Sequence, residues 1–188
     1  GEFSRNWLIK GNHVHHSWGE GIIVGSTNGC IVSGNTVEDV FSVCIYVDYS
    51  KNTVIENNYA FFNDNTYLRD GDRRTDAIKW AVERTDDNTL DYGVDSLVIR
   101  NNLIVGCRKV FSWYHEAPGA SGSAKYAYRN VKIINNTSFN AEMALSLNEL
   151  DPGAREVTGC VLANNILDGF VENTGEVTFS YSHNCWVD

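Results

Sequence analysis

The sequence lacks the features that mark several common classes of protein. It contains no apolar run long enough to span a bilayer, so we expect no membrane insertion. Positive charge is scarce, because 15 Lys and Arg residues oppose 24 Asp and Glu residues and leave a formal net charge of −9. This balance argues against nucleic acid and anionic membranes as partners. It leaves an acidic substrate open, since a bridging cation can join two acidic partners.

The cysteines supply no disulfide framework or metal pair. There are five of them, an odd number, and no Cys-x-x-Cys spacing occurs. We therefore expect unpaired thiols that are buried as small apolar residues.

Both ends of the sequence lack a recognisable terminal element. Gly1-Glu2-Phe3 has neither a basic stretch nor an apolar stretch of a signal peptide and reads as a cloning scar. We expect residues 4–188 to be a single domain taken from a longer protein. Coils without caps at the two ends would then allow end-to-end self-association.

What the sequence does contain is a repeat. Alternating apolar residues are followed by Gly-Asn or Asn-Asn, as in Cys30-Ile31-Val32-Ser33-Gly34-Asn35. The spacings between successive copies are 23, 23, 44, 34 and 29 residues, counted at the second residue of each pair: Asn12, Asn35, Asn58, Asn102, Asn136 and Asn165.

This repeat predicts a β-solenoid. Alternation with a period of two indicates strands, and 23 residues suffice for about three short strands and three turns, which form one coil. The longer spacings keep the same phrase, so the additional residues must form loops outside the coil, above all in the third coil. Stacked asparagine amides can bond to one another along such a solenoid, which accounts for the high asparagine content.

A second strand follows the repeated asparagines after nine or ten residues, except in the third coil, where an insertion of roughly ten residues displaces it to Ile78. Its inward side chains should form apolar columns that dominate stability. The predicted inward pairs are Ile22 and Val24, Ile45 and Val47, Ile78 and Trp80, Phe111 and Trp113, Leu145 and Leu147.

The pattern over residues 6–188 resembles the right-handed parallel β-helix superfamily of pectate lyases, polygalacturonases and related carbohydrate-active proteins. The resemblance implies an all-β, right-handed parallel β-helix of about six coils, a polysaccharide substrate or ligand, and a parent protein that is secreted or on the cell surface. It also implies a cleft along the outward face of one sheet. We assign this face to the second strand, whose outward positions are Ile23, Tyr46, Lys79, Ser112 and Ser146.

Our favoured hypothesis is a polysaccharide lyase that acts on a uronate polymer. β-Elimination needs a base for the proton next to the carboxylate and a positive centre on that carboxylate. Lys79 is the candidate base, and Asp48 and Asp76 complete the catalytic set. Carboxylate neighbours favour the charged lysine, so the hypothesis requires Ca²⁺ on hard oxygen ligands, for which the candidates are Asp76, Glu83, Asp86 and Asp87. The candidate substrate-binding residues are Tyr46, Arg74, Tyr114, His115 and Glu116.

Two alternatives remain open. A glycoside hydrolase would use two carboxylates, with Asp48, Asp76 and Glu116 as candidates. A non-catalytic module would bind glycan through exposed side chains that stack on sugar rings, with Tyr46, Tyr114 and His115 as candidates, or serve only as a structural element. The signature motifs of the commonest pectate lyases, the polygalacturonases and the mannuronan epimerases are absent, so no subfamily is assigned.

Overall fold

The computed structural model describes residues 4–83, 93–115, 126–147, 155–173 and 179–187. Three sheets of parallel strands run along this part of the chain and form the walls of the solenoid. Sheet A has seven strands, each ending two residues before an asparagine: Leu8–Lys10, Ile31–Ser33, Val54–Glu56, Val98–Arg100, Lys132–Ile134, Val161–Ala163 and Ser180–Ser182. Sheet B has seven strands that follow the same turn: His13–Ser17, Thr36–Val40, Tyr59–Phe61, Leu103–Val105, Thr137–Phe139, Ile166–Asp168 and Cys185–Val187.

Sheet C is the third wall and carries the candidate site. Its six strands are Ile22–Gly25, Val43–Asp48, Asp76–Val82, Lys109–His115, Met143–Leu147 and Phe170–Asn173. Shorter strands close some coils between sheets C and A: Ser4–Arg5 pairs with Thr27–Asn28, and Gly93–Asp95, Tyr126–Arg129 and Arg155–Thr158 form a three-stranded sheet. A 3₁₀ turn, Asn65–Tyr67, lies in the third-coil insertion. No helix in the described ranges is long and apolar enough to cross a membrane.

The chain passes from sheet A to B to C and then into the next coil, and each strand pairs in parallel with its equivalent one coil away. The prediction of a right-handed parallel β-helix is confirmed. Sheets A and B each contain seven strands rather than the expected six. The seventh repeat ends at Asn184, which sequence reasoning missed because His183 stands where the other repeats have Gly or Asn.

The asparagine ladder forms as predicted and satisfies each internal amide fully. The Oδ1 atom of Asn102 accepts hydrogen bonds from the backbone N–H and the side-chain amide of Asn58, both at 3.0 Å. The Nδ2 atom of Asn102 donates to Oδ1 of Asn136 at 2.9 Å and to the carbonyl of Ile55 at 3.1 Å. The same pattern runs from Asn12 to Asn184. The hydrogen bonds of each internal amide therefore offset the cost of removing it from water.

The residue before each ladder asparagine explains the alternation of Gly and Asn in the repeat. Gly11, Gly34, Asn57, Asn101 and their equivalents have φ between 53° and 67°. Left-handed backbone is easiest for glycine and next easiest for asparagine. The first residue of each pair thus makes the turn, and the second forms the ladder.

The predicted inward columns are confirmed. Ile45, Ile78, Phe111 and Leu145 are in register across four coils and are at most 1% exposed. Trp80 lies between Val47 and Trp113 in the neighbouring column. The cysteines of the described chain are unpaired, as expected; four are buried, whereas Cys185 is exposed.

We predict that the centre of the ladder matters more to stability than its first member. Asn102→Ala removes two donors and an acceptor of two bonds from a buried row, and should lower the free energy of unfolding by at least about 3 kcal/mol. Asn12 is exposed and its amide only donates to Asn35. The control Asn12→Ala should therefore cost about 1 kcal/mol or less. Urea denaturation compares the two, and equal losses would contradict the role given to the ladder.

Candidate functional site

The outward face of sheet C presents one row of side chains across six coils. The strand register aligns Ile23, Tyr46, Lys79, Ser112, Ser146 and Glu172. The row is not uniformly exposed: Ile23 is exposed, the side chain of Lys79 is 18% exposed, and Ser112 and Ser146 are buried. The accessible chemistry is therefore concentrated around Lys79.

Lys79 forms an ion pair with Asp76 on the same strand. Its Nζ atom lies 2.6 Å from Oδ2 of Asp76, and both side chains are largely buried. Asp76 begins this strand, directly after the third-coil insertion, and its backbone N–H donates to the carbonyl of Ser42 in the preceding coil. The structure thus brings together two of the three predicted catalytic residues.

The third, Asp48, lies on the neighbouring strand, near Glu83. Its Oδ1 atom accepts a hydrogen bond from the backbone N–H of Glu83 at 3.1 Å. Glu83 in turn accepts a hydrogen bond from the hydroxyl of Tyr46 at 2.5 Å. Asp48 therefore helps to position the start of the loop that follows Lys79, and its predicted catalytic role stays a prediction.

Tyr46 is buried, contrary to the expectation that its ring is an exposed face for a sugar. It packs against Val43 and Ala81 and lines a pocket. Burial raises the pKa of its phenol, and the bond to Glu83 with the charges of Glu83 and Asp48 raises that pKa further. Tyr46 is therefore a protonated donor to Glu83.

Six cationic side chains meet at a pocket of about 130 Å³ beside Lys79. Asp76 is the single carboxylate among the described residues that line it, and Ser42 supplies a hydroxyl. The six cations are Arg69, Arg73, Arg74, Lys79, Arg108 and Lys109. They are a large share of the 15 Lys and Arg residues of an acidic chain. We call this the cationic pocket.

A wider pocket of about 260 Å³ joins the cationic pocket and shares Ser42, Arg69 and Lys79 with it. Glu20, Val43, Tyr46, Glu83 and Tyr114 complete its described lining. Tyr114 is exposed, so of the two predicted stacking tyrosines it is the accessible one. Lys79 stands where the two pockets meet.

Arg74, a predicted substrate ligand, lies at the cationic pocket but also joins three coils. Its Nη1 atom donates to the carbonyls of Gly106 and Asn140, both at 2.9 Å, and its Nη2 atom lies 3.3 Å from Oε1 of Glu142. Its guanidinium therefore has a structural function, and binding of substrate by Arg74 stays a prediction.

Sequence reasoning missed Arg69, Arg108 and Lys109, and of these Lys109 is the buried one. It is 8% exposed, and its Nζ atom donates to Oγ of Ser146 at 2.8 Å. Ser146 donates to Oε2 of Glu172 at 2.6 Å. Lys109 stands two residues before the inward Phe111, so the alternation along the strand predicts that its side chain also points inward. The available signal was a charged residue at a position where the alternation calls for an apolar one.

The pKa of Lys109 is lowered, above all because burial disfavours the ammonium form. Asp76 and Glu172 oppose this effect, whereas Arg108 and Lys79 reinforce it. Beside these lysines the hydroxyl of Ser112 is buried, with no hydrogen-bond partner in the described chain. The neighbourhood thus contains an unsatisfied polar group next to concentrated positive charge.

The predicted calcium site is only partly described. Asp86, Asp87 and Glu116 lie outside the described residues, as do the side chain of His115 and residues Gly1–Phe3. Asp76 is paired with Lys79, and Glu83 is bonded to Tyr46, so these two carboxylates alone do not fit a Ca²⁺. Within the described ranges no group of three or more His, Cys, Asp or Glu side chains is placed to hold a metal ion.

Comparison with known proteins supports the fold and names no reaction. A family model described as "Right handed beta helix region" matches residues 2–79, which end at Lys79. No curated protein and no solved structure matches the chain. Together with the parallel sheets, the match supports the right-handed parallel β-helix fold.

We predict that Arg74 contributes to the stability of the fold, whether or not it also binds substrate. Arg74→Ala leaves the carbonyls of Gly106 and Asn140 without this donor and should lower the free energy of unfolding by about 1–3 kcal/mol. The control is Arg73→Ala, because Arg73 pairs with the exposed Asp70 within its own loop and should cost less than about 1 kcal/mol. Urea denaturation measures both, and an Arg74→Ala variant as stable as the control would overturn the structural function.

We also predict a pH-dependent contribution from Lys109. Below its lowered pKa, Lys109 is protonated in the folded and unfolded states alike. Between the lowered pKa of the folded state and the ordinary value of 10.5, the unfolded chain keeps a proton that the folded protein has lost. The contribution of Lys109 to the free energy of unfolding therefore rises with pH over this range. The wild type should therefore gain stability relative to Lys109→Met between pH 7 and pH 10, measured by urea denaturation. Lys132→Met is the matched control, and a constant difference for Lys109→Met would contradict the burial effect.

Proposed function

We propose that this chain binds an acidic polysaccharide on the outward face of sheet C and processes it by β-elimination. The observation that carries the proposal is the cationic pocket, where six positive side chains surround one carboxylate on a protein with a formal net charge of −9. Clustered charge attracts opposite charge locally, whatever the sign of the whole molecule.

A carboxylate on a sugar ring suits this pocket. Arginine presents a planar fork of donors that matches a carboxylate in two parallel bonds. Arg69, Arg73 and Arg108 line the pocket from the third-coil insertion and the neighbouring coil. A pocket of about 130 Å³ accepts an anionic group, while the wider pocket beside it leaves room for the adjoining sugar.

In β-elimination a base removes the proton on the carbon next to the carboxylate. The electron pair of the C–H bond becomes a C=C bond, and the C–O bond to the leaving sugar breaks. The leaving oxygen then takes up a proton. Positive charge on the substrate carboxylate stabilises the carbanion-like transition state, which lowers the barrier to proton removal.

The residues have distinct functions in this proposal. Lys79, at the junction of the two pockets, is the base in its neutral amine form, and Asp76 then accepts a hydrogen bond from its Nζ atom. Water supplies the proton that the leaving oxygen takes up. Arg69, Arg73 and Arg108 neutralise the substrate carboxylate. These arginines supply the positive field for which the sequence hypothesis required Ca²⁺, and a calcium contribution from Glu83, Asp86 and Asp87 stays a prediction.

Hydrolysis is less well supported by the same geometry. A glycoside hydrolase needs two carboxyl groups on opposite sides of the scissile bond. Asp76 is the one carboxylate among the described residues of the cationic pocket, and it is paired with Lys79. Binding without reaction is the remaining alternative and is an outcome of the experiment below.

The test follows the absorbance of unsaturated uronate while the protein is incubated with pectate, alginate and glycosaminoglycans, each with calcium or with chelator. We expect product from at least one polymer and at least a hundredfold lower rate for Lys79→Ala, since removal of a general base typically costs 10²–10⁴-fold. Lys132→Ala, an exposed lysine on sheet A, should retain the wild-type rate.

Each contrary outcome has a defined meaning. Equal rates for Lys79→Ala and wild type would exclude Lys79 as the base. Reducing sugar without unsaturated product would replace elimination by hydrolysis. Binding without product, weakened by Arg108→Ala, would leave a glycan-binding module.

A further inference from the structure

Beside the wider pocket lies a cluster of three aromatic rings from consecutive coils. Trp18 follows the first strand of sheet B, and Phe41 follows the second strand exactly 23 residues later. Tyr67 belongs to the 3₁₀ turn of the third-coil insertion. The ring of Trp18 lies 5.0 Å from that of Tyr67 and 5.9 Å from that of Phe41, measured between centroids.

Trp18 is the accessible member of this cluster. It is 68% exposed, the largest exposure among the large apolar side chains of the described chain. Its indole contacts Phe41 in the next coil and Tyr67 of the insertion, and most of the residue is still exposed. An exposed indole with fixed neighbours loses little conformational freedom when a flat ligand binds to it.

The cluster is continuous with the cationic pocket through Arg69. The guanidinium carbon of Arg69 lies 6.0 Å from the centroid of the Phe41 ring, and Arg69 lines both pockets. Glu20, two residues after Trp18, also lines the wider pocket. A linear ligand can therefore contact the aromatic rings and the cations along one path.

The surroundings of the rings are polar. The Nε2 atom of His16 lies 4.0 Å from Oδ2 of Asp64, and the ring of His16 lies 5.4 Å from that of Tyr67. Sugars combine an apolar ring face with a rim of hydroxyl groups, and this surface offers an aromatic face with hydrogen-bonding groups at its edge. A lipid surface would instead meet ionisable groups beside Trp18, and the acidic chain disfavours an anionic membrane.

We infer that Trp18, Phe41 and Tyr67 form a stacking subsite for a sugar ring of the same polysaccharide whose anionic group enters the cationic pocket. This inference rests on the proposed binding of an acidic polysaccharide and extends it toward the first coil. The subsite binds a neutral face of the polysaccharide, outside the two pockets that Lys79 lines. It should therefore favour longer oligosaccharides over short ones.

The test is isothermal titration calorimetry with acidic oligosaccharides of two lengths, a disaccharide and a decasaccharide of the polymer that the wild type binds. Trp18→Ala should weaken decasaccharide binding about fivefold to tenfold, as expected for one aromatic contact, and should change disaccharide binding less than twofold. Trp7→Ala is the matched control, because Trp7 is 55% exposed but lies before sheet A. Trp18→Tyr should restore most of the affinity, and equal urea midpoints would show that both variants fold.

The outcomes separate this inference from the proposal on which it rests. If the wild type binds no acidic glycan, both are overturned. If the wild type binds and Trp18→Ala binds the decasaccharide equally well, the stacking subsite alone is overturned. A loss of affinity that is the same for the disaccharide and the decasaccharide, or that Trp7→Ala shows as well, would also overturn the stacking subsite.

Discussion

The hydrogen-bonded row of asparagine amides is the constraint on which the rest of the structure depends. Each internal amide accepts two bonds from the preceding coil, donates one to the next asparagine and donates one to a backbone carbonyl. A shift of one residue in any coil would leave several of these buried groups unpaired, at about 1–3 kcal/mol each. The ladder therefore fixes the register of the coils as well as contributing to stability.

A fixed register determines which side chains meet on the outer face. Once Asn35, Asn58 and Asn102 are aligned, Tyr46, Lys79 and Ser112 follow in one row on sheet C. Insertions leave this alignment intact, since the ladder continues across the 44-residue interval between Asn58 and Asn102. The third coil can thus carry additional chain at its corners, with arginines in it, while its core remains in register.

The separation between a core in register and additional chain at its corners explains which features the sequence could predict. The inward columns, the ladder and the outward position of Lys79 all follow from a period of two and from one repeated turn. Lys109 could not be found in this way, because it lies in an inward phase at the start of its strand and yet reaches the pocket. The burial of Tyr46 depends on Val43 and Ala81 and on the bond to Glu83 at the start of a loop, and no local pattern specifies these contacts.

The cationic pocket could not be predicted from the sequence for a related reason. Arg69, Arg73 and Arg74 are in the insertion, Lys79 is in a strand, and Arg108 and Lys109 come from the next coil, so no basic run marks them in the sequence. Net charge is an average over the whole molecule, whereas a bound anion responds to charges within about one Debye length, roughly 8 Å at physiological ionic strength. Over that distance the six arginines and lysines outnumber Asp76 and the three carboxylates paired with them from outside the pocket, Asp70, Glu142 and Glu172, while most of the acidic surface is screened. An acidic chain can therefore attract a polyanion without a bridging metal, because the fold gathers cations that the sequence keeps apart.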